Sequence, residues 1–224
     1  FGAADAGRLE VEVVEIGGAA RRHENVRGVE RRRLARHTDD DADALRARGI
    51  ERLNAEPISP IAWLDRHGVL TSRTVCAHAI HTDLADTAIM VGRGVAVAHC
   101  PRSNRRHHHT DAPIGRYADQ GLRIGIGTDS VVSVAPLDLL AEAREARKLA
   151  GWNARETVRA LTLGGAEALG LDATTGSLTA GKWADLAAIG VDGSLPVEDA
   201  VLASATADVR ATWSGGRLVA GSPT

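Results

Sequence analysis

The sequence predicts an α/β protein of parallel strands joined by crossover helices, followed by a smaller β unit. Between Val75 and Leu149, short apolar runs alternate with polar turns and helix-forming stretches, the signature of strand–crossover–strand architecture. After Leu171 the text changes to short strand-like pieces separated by glycine turns. The chain has 224 residues, 44% of them hydrophobic, enough to bury a substantial core in one or two domains.

Taken in order, Leu9 to Ile16 (LEVEVVEI) carries Val and Ile at near-alternating positions and predicts a strand. From Arg21 to Asp43 the residues are mostly Arg, Glu, Asp and His without apolar periodicity, so 1–43 is expected to be irregular or poorly ordered with one candidate strand. A shifted reading frame in GC-rich DNA would give the same arginine-rich text. The chain opens on Phe1 and its single methionine is Met90, which suggests a fragment of a longer reading frame. From Ala44, patterned sequence returns. Ile61 to Leu70 predicts a helix with Ile61, Leu64 and Leu70 on one face, ending near Gly68, and Val75 to His81 a strand. Thr82 to Gly92 predicts a helix, Gly94 to His99 a buried strand, Ile114 to Gly121 a helix and Leu122 to Gly127 a third strand running into Thr128 and Asp129. Leu137 to Leu149 is built of strong helix formers, and Asn153 with Glu156 makes a capping box for the next helix. The expected division is thus 1–43, then an α/β part over 44–171, then a β unit over 172–224.

Charge narrows the partners. A net charge of −2 and a pI near 6.5 give no electrostatic reason to expect nucleic acid or an anionic membrane, and point to a small-molecule substrate. Cys76 and Cys100 lie in predicted buried strands as small core residues and permit at most one disulfide. No apolar run is long enough to span a bilayer or act as a secretory signal, so a cytoplasmic location is expected. Assembly into a homo-oligomer is left open.

The chemistry falls where strands end. His78 and His81 close the first of the three, His99 the second and Asp129 the third. In a parallel β/α barrel the C-terminal strand ends share one mouth, where active sites are built. A lone strand-end histidine is commonly a hydrogen-bonded structural residue, and an aspartate after Gly-Thr can simply cap a turn. Three successive strand ends delivering His, His and Asp favour a functional cluster. The consecutive His107, His108 and His109 read as a solvated or substrate-facing loop rather than a metal site, and the four tryptophans as packing.

The run from Val75 to Asp185 resembles the amidohydrolase superfamily, in its cytosine, guanine and S-adenosylhomocysteine deaminase and chlorohydrolase branch. The matching pieces are AHAIH at Ala77–His81, AHCPRSN at Ala98–Asn104, APIGRYADQG, IGTDS at Ile126–Ser130, LGGAEALGL and GSLTAGKWADL at Gly176–Leu186, in the family's order. The resemblance implies a partial TIM (β/α)8 barrel holding strands five to eight, with a C-terminal fragment of a small β-sandwich domain. It implies one divalent metal, Zn or Fe, whose bound water drops in pKa from 15.7 towards about 7 and attacks as hydroxide. It assigns Asp129 as metal ligand and proton acceptor and His78 as the group stabilising the hydroxide; His99, Ser103 and Asn104 shape the substrate pocket. The family's H-x-H pair has no counterpart upstream, and its H-x-x-E position reads LARHTDDDADAL, with Leu34 and His37 at the histidine and glutamate places. His37, in an H-x-x-D with Asp40, is the remaining candidate metal ligand. The expected function is metal-dependent hydrolysis of a non-peptide C–N bond, deaminating a purine-like or other aminated heterocycle, with triazine chlorohydrolysis open to the same scaffold. The alternative is a catalytically dead barrel relative, or a truncated product, serving as a binding or assembly module.

Overall fold

The computed structural model describes residues 58–222 and the backbone of one earlier strand, 12–15. The strand expected over Leu9–Ile16 is present as β1 (Glu12–Glu15), while Leu34, His37 and Asp40 lie outside the described residues. Then follow α1 (Pro60–Arg66), β2 (Thr74–Ala77), α2 (Leu84–Arg93), β3 (Ala96–His99), α3 (Pro101–Arg106), α4 (Ile114–Asp119) and β4 (Arg123–Ile126). Helices α5 (Leu139–Ala150), α6 (Ala154–Leu161) and α7 (Leu163–Leu169) lead to β5 (Leu186–Ile189), α8 (Val197–Ala203), β6 (Val209–Ser214) and β7 (Arg217–Gly221).

Strands β1 to β4 form one parallel sheet in chain order, which is not closed, and β5–β6–β7 form a separate antiparallel sheet. The parallel register pairs Cys76 with Val97 and Val97 with Ile124, so these three share a face. That face packs under α1, α2 and α4, where Ile61, Leu64, Met90, Ile114 and Tyr117 complete the main core. Val75, Ala96 and Ala98 point the other way and meet Ala168 of α7. There α7 rides close: a Cβ on Gly125 would lie 3.0 Å from the Gly165 Cα, and one on Gly164 would lie 2.7 Å from the Ile124 carbonyl oxygen.

Helix boundaries follow local chemistry. Asp83 caps α2 by accepting from the Asp86 N–H at 2.8 Å while the Asp86 carboxylate accepts from the Asp83 N–H at 3.2 Å, so the helix starts at Leu84 rather than Thr82. The expected box before α6 is present, with Asn153 Oδ1 accepting from Glu156 N–H at 2.9 Å. Three expectations are corrected. The helix expected to Leu70 stops at Arg66, where His67 leaves helical geometry and Gly68 takes φ +68. The strand expected to His81 stops at Ala77, because His78 and Ala79 take φ 65 and 44. Helix α3 stands where no element was expected. Beyond 172 the chain holds one three-stranded sheet and α8, whose Leu202 is buried with Ala143 and Ala154 of α5 and α6.

Candidate functional site

His78 follows β2, His99 ends β3 and Asp129 follows β4, so the parallel register brings all three to the same end of the sheet. His78 is the centre of a γ-turn: the Ala79 N–H donates to the Ala77 carbonyl at 2.7 Å, with φ 65 at His78. This is the rare sense of that turn, and such backbone costs of order 1–3 kcal/mol unless its surroundings hold it. They do: the His78 N–H bonds Ala98 O at 2.9 Å, and the hydroxyl of buried Tyr117 donates to Ala79 O and accepts from Thr82. Asp129 also has positive φ, 60, a region that aspartate visits more readily than most residues.

The two side chains converge. His78 Nε2 lies 3.8 Å from Asp129 Oδ2. That is too long for a direct hydrogen bond, and it leaves both atoms able to reach one bridging oxygen at ordinary distances of about 2.8 Å. Each is gripped by α3. Ser103 Oγ donates to Asp129 Oδ2 at 2.5 Å, and His78 Nδ1 sits 2.7 Å from Asn104 Oδ1. An amide oxygen only accepts, so Nδ1 carries the proton in that arrangement and Nε2 is the atom presented to Asp129. The Ser130 N–H donates to Asp129 Oδ1 at 2.7 Å. Partial burial pushes the Asp129 carboxyl up, but the bonds from Ser103, Ser133 and Ser130 and the nearby His78 outweigh it and hold it below the ordinary aspartate value.

His99 is fully buried, and neither ring nitrogen has a hydrogen-bond partner among the described residues. Burial, with His78 nearby, lowers its pKa to about 4, so the ring is neutral at pH 7. Ser103 and Asn104 are buried as well, with Ser103 Oγ and Asn104 Oδ1 on Asp129 and His78 and the Asn104 amide nitrogen unpaired. His107 and His108 are exposed; the His107 and His109 rings lie 6.3 Å apart.

Two buried residues that hold the site's surroundings, Tyr117 and Glu142, were not singled out in the sequence reading. Tyr117, the only tyrosine, lies on the buried side of α4 with Ile114. Glu142 lies among Leu140, Ala143 and Ala146 on the buried side of α5, and a carboxylate within an apolar helix stripe is the signal that points to it. Among the described residues no three or more His, Cys, Asp or Glu side chains converge to hold a metal ion. Asp129 and His78 alone fall short of the three or four protein ligands of a zinc site.

The amidohydrolase family profile matches residues 33–219. A 5-methylthioadenosine/S-adenosylhomocysteine deaminase of Natronomonas pharaonis is 35% identical over 199 residues, covering 83% of this chain and 44% of that protein. The same-named protein of Moorella thermoacetica is 40% identical over 136 residues, covering 57% of this chain and 32% of that one. An adenosine deaminase structure from Xanthomonas campestris with bound zinc superposes with a TM-score of 0.68 at 30% identity, over 79% of this chain and 42% of that one. A zinc complex of an atrazine chlorohydrolase from Arthrobacter aurescens TC1 gives 0.65 at 27% identity, over 81% and 42%. The chain thus spans less than half the length of these relatives.

Proposed function

Because this chain belongs to the amidohydrolase family, we propose that it is the C-terminal part of a hydrolase of non-peptide C–N bonds that deaminates a purine-like or other aminated heterocycle. The observation that carries this reading is the 3.8 Å approach of His78 Nε2 to Asp129 Oδ2 at the ends of neighbouring strands of a parallel sheet. The similar proteins support the substrate class: they include deaminases of 5-methylthioadenosine and S-adenosylhomocysteine, and an adenosine deaminase. A divalent ion, Zn or Fe, belongs to the proposal, zinc being present in both of the similar structures described above. Asp129 and His37 are its proposed ligands from this chain. The described residues do not make up a coordination set, so the steps assigned here are those of the chain's own groups.

Asp129, held ionised, accepts a proton from the attacking water as its oxygen bonds to the amino-bearing ring carbon. His78 hydrogen-bonds the same oxygen and orients it. Asp129 then returns the proton to the departing amino group, the C–N bond breaks and ammonia leaves. His99, with two unpaired ring nitrogens, is the proposed substrate-pocket residue, while Ser103 and Asn104 border that pocket and hold the acid–base pair. Residues 44–171 are read as the barrel portion and 172–224, with β5 to β7, as part of a small β-sandwich domain. Both cysteines are buried free thiols, which suits a reducing, cytoplasmic compartment.

The test is ammonia release from 5-methylthioadenosine, S-adenosylhomocysteine, adenosine and guanine, with metal content measured with and without added Zn²⁺. Stoichiometric metal and ammonia release that disappears in Asp129→Asn supports the reading. The lack of a three-ligand cluster among the described residues favours a second reading, a non-catalytic binding or assembly module. Folded protein with neither metal nor turnover would establish that one.

A further inference from the structure

Helix α3 supplies both side chains that hold the His78–Asp129 pair, yet it is only six residues long. Its N-cap position, Cys100, makes no side-chain cap bond, and Pro101 has no N–H to offer. A helix this short has little stability of its own. Something outside it must fix its first turn.

That group is on α5. Glu142 is completely buried, and its Oε2 accepts the backbone N–H of Arg102 at 2.9 Å. The Arg102 guanidinium lies 3.7 Å from the other carboxylate oxygen and donates to the Pro136 carbonyl at 3.3 Å, linking α3 to the segment after Asp129. Arg102 immediately precedes Ser103, which donates to Asp129, and Asn104, which binds the His78 ring. A carboxylate in an apolar stripe is unfavourable unless a hydrogen bond or charge answers it, and here both come from one residue at the start of α3.

Resting on the proposed role of His78 and Asp129, we propose that Glu142 is a positioning residue: its carboxylate fixes the first turn of α3, and α3 thereby sets the orientation of the imidazole and the carboxylate. Glu142 touches neither side chain and acts through Arg102, Ser103 and Asn104. The Ser103 hydroxyl and the Asn104 amide oxygen meet the pair because the turn that carries them is anchored from behind.

The experiment uses the full chain with labelled histidine and backbone amides. Nitrogen shifts of the His78 ring report which nitrogen carries the proton, and hydrogen exchange reports protection of the Arg102 amide, with the β2–β4 amides as internal control. Glu142→Gln retains an oxygen acceptor of the same reach and is expected to keep the Nδ1–H form of His78 and the Arg102 protection. Glu142→Ala is expected to lower Arg102 protection on the order of tenfold or more and to mix the ring tautomers, with sheet protection retained. Glu142→Asp, one methylene shorter, gives the same readouts should the alanine variant fail to fold. A folded Ala or Asp variant with a wild-type His78 ring and wild-type Arg102 protection overturns the proposal. So does a uniform fall in sheet protection, which marks Glu142 as structural only. None of these readouts needs turnover, so a chain that hydrolyses nothing still decides the role of Glu142, and the ammonia assay still decides the proposed function.

Discussion

At the scale of single residues, Tyr117 shows how a strained loop is held. Its buried hydroxyl joins Ala79 O to the Thr82 hydroxyl beneath the left-handed His78–Ala79 step. Tyr117→Phe keeps the packing and removes the donor to Ala79 O, so chemical denaturation should show a loss of about 1–3 kcal/mol. His99 and Glu142 make opposing contributions to the pH dependence of stability. The folded His99 pKa of about 4 lies below the ordinary histidine value of 6.5, so stability is lost as pH falls through that window. Burial, reinforced by Asp138 and Asp129 against the opposing Arg102, raises Glu142 from 4.5 to about 7, so stability is lost as pH rises across that range. Each effect is worth about 3 kcal/mol at full extent. Between about pH 4.5 and 6.5 they oppose, and single variants should uncover the slopes: His99→Leu leaves stability falling with pH, and Glu142→Gln leaves it rising. Parallel slopes in the two variants would contradict the assignment. His78 and Asp129 were legible in the sequence because polar residues interrupt apolar runs at strand ends. Tyr117 was not, because its hydroxyl contacts come from tertiary packing that periodicity does not report, and Glu142 was marked only by its place within the apolar stripe of its helix.

Among the elements, α7 is placed by glycine. With the Gly164 Cβ position only 2.7 Å from the Ile124 carbonyl oxygen, an alanine there has no flexible neighbour to push aside. Gly164→Ala raises helix propensity by about 1 kcal/mol, yet it should lower stability by about 1–3 kcal/mol through overpacking. A melting temperature above wild type would contradict this seating. The β-strands and most helices were legible, since apolar runs of the right length and the Asn153–Glu156 box are local signals. Helix α3 was not: PRSNRR has no apolar face, and its anchor at Glu142 is far away in the chain. Helix α8 was hidden in a stretch read as strands and turns.

For the whole molecule, the sheet order β1–β2–β3–β4 leaves β1 and β4 each with a strand neighbour on one side only among the described residues. Unpaired strand edges template association, so the isolated chain is expected to self-associate as its concentration rises. Light scattering across a dilution series checks this, and a concentration-independent monomer would argue against it. The parallel topology was foreseeable from strand and helix alternation, and the open sheet from the partial barrel that the resemblance implies, since four strands are too few to close. The order of strands also has a consequence for how the site comes apart. His78 issues from a strand flanked on both sides, whereas Asp129 follows β4, which is an edge strand among the described residues. Local opening begins where the fewest interstrand bonds must break, so heat should peel the carboxylate away while the imidazole is still seated. The site would then be dismantled from one flank, before any global melting is recorded.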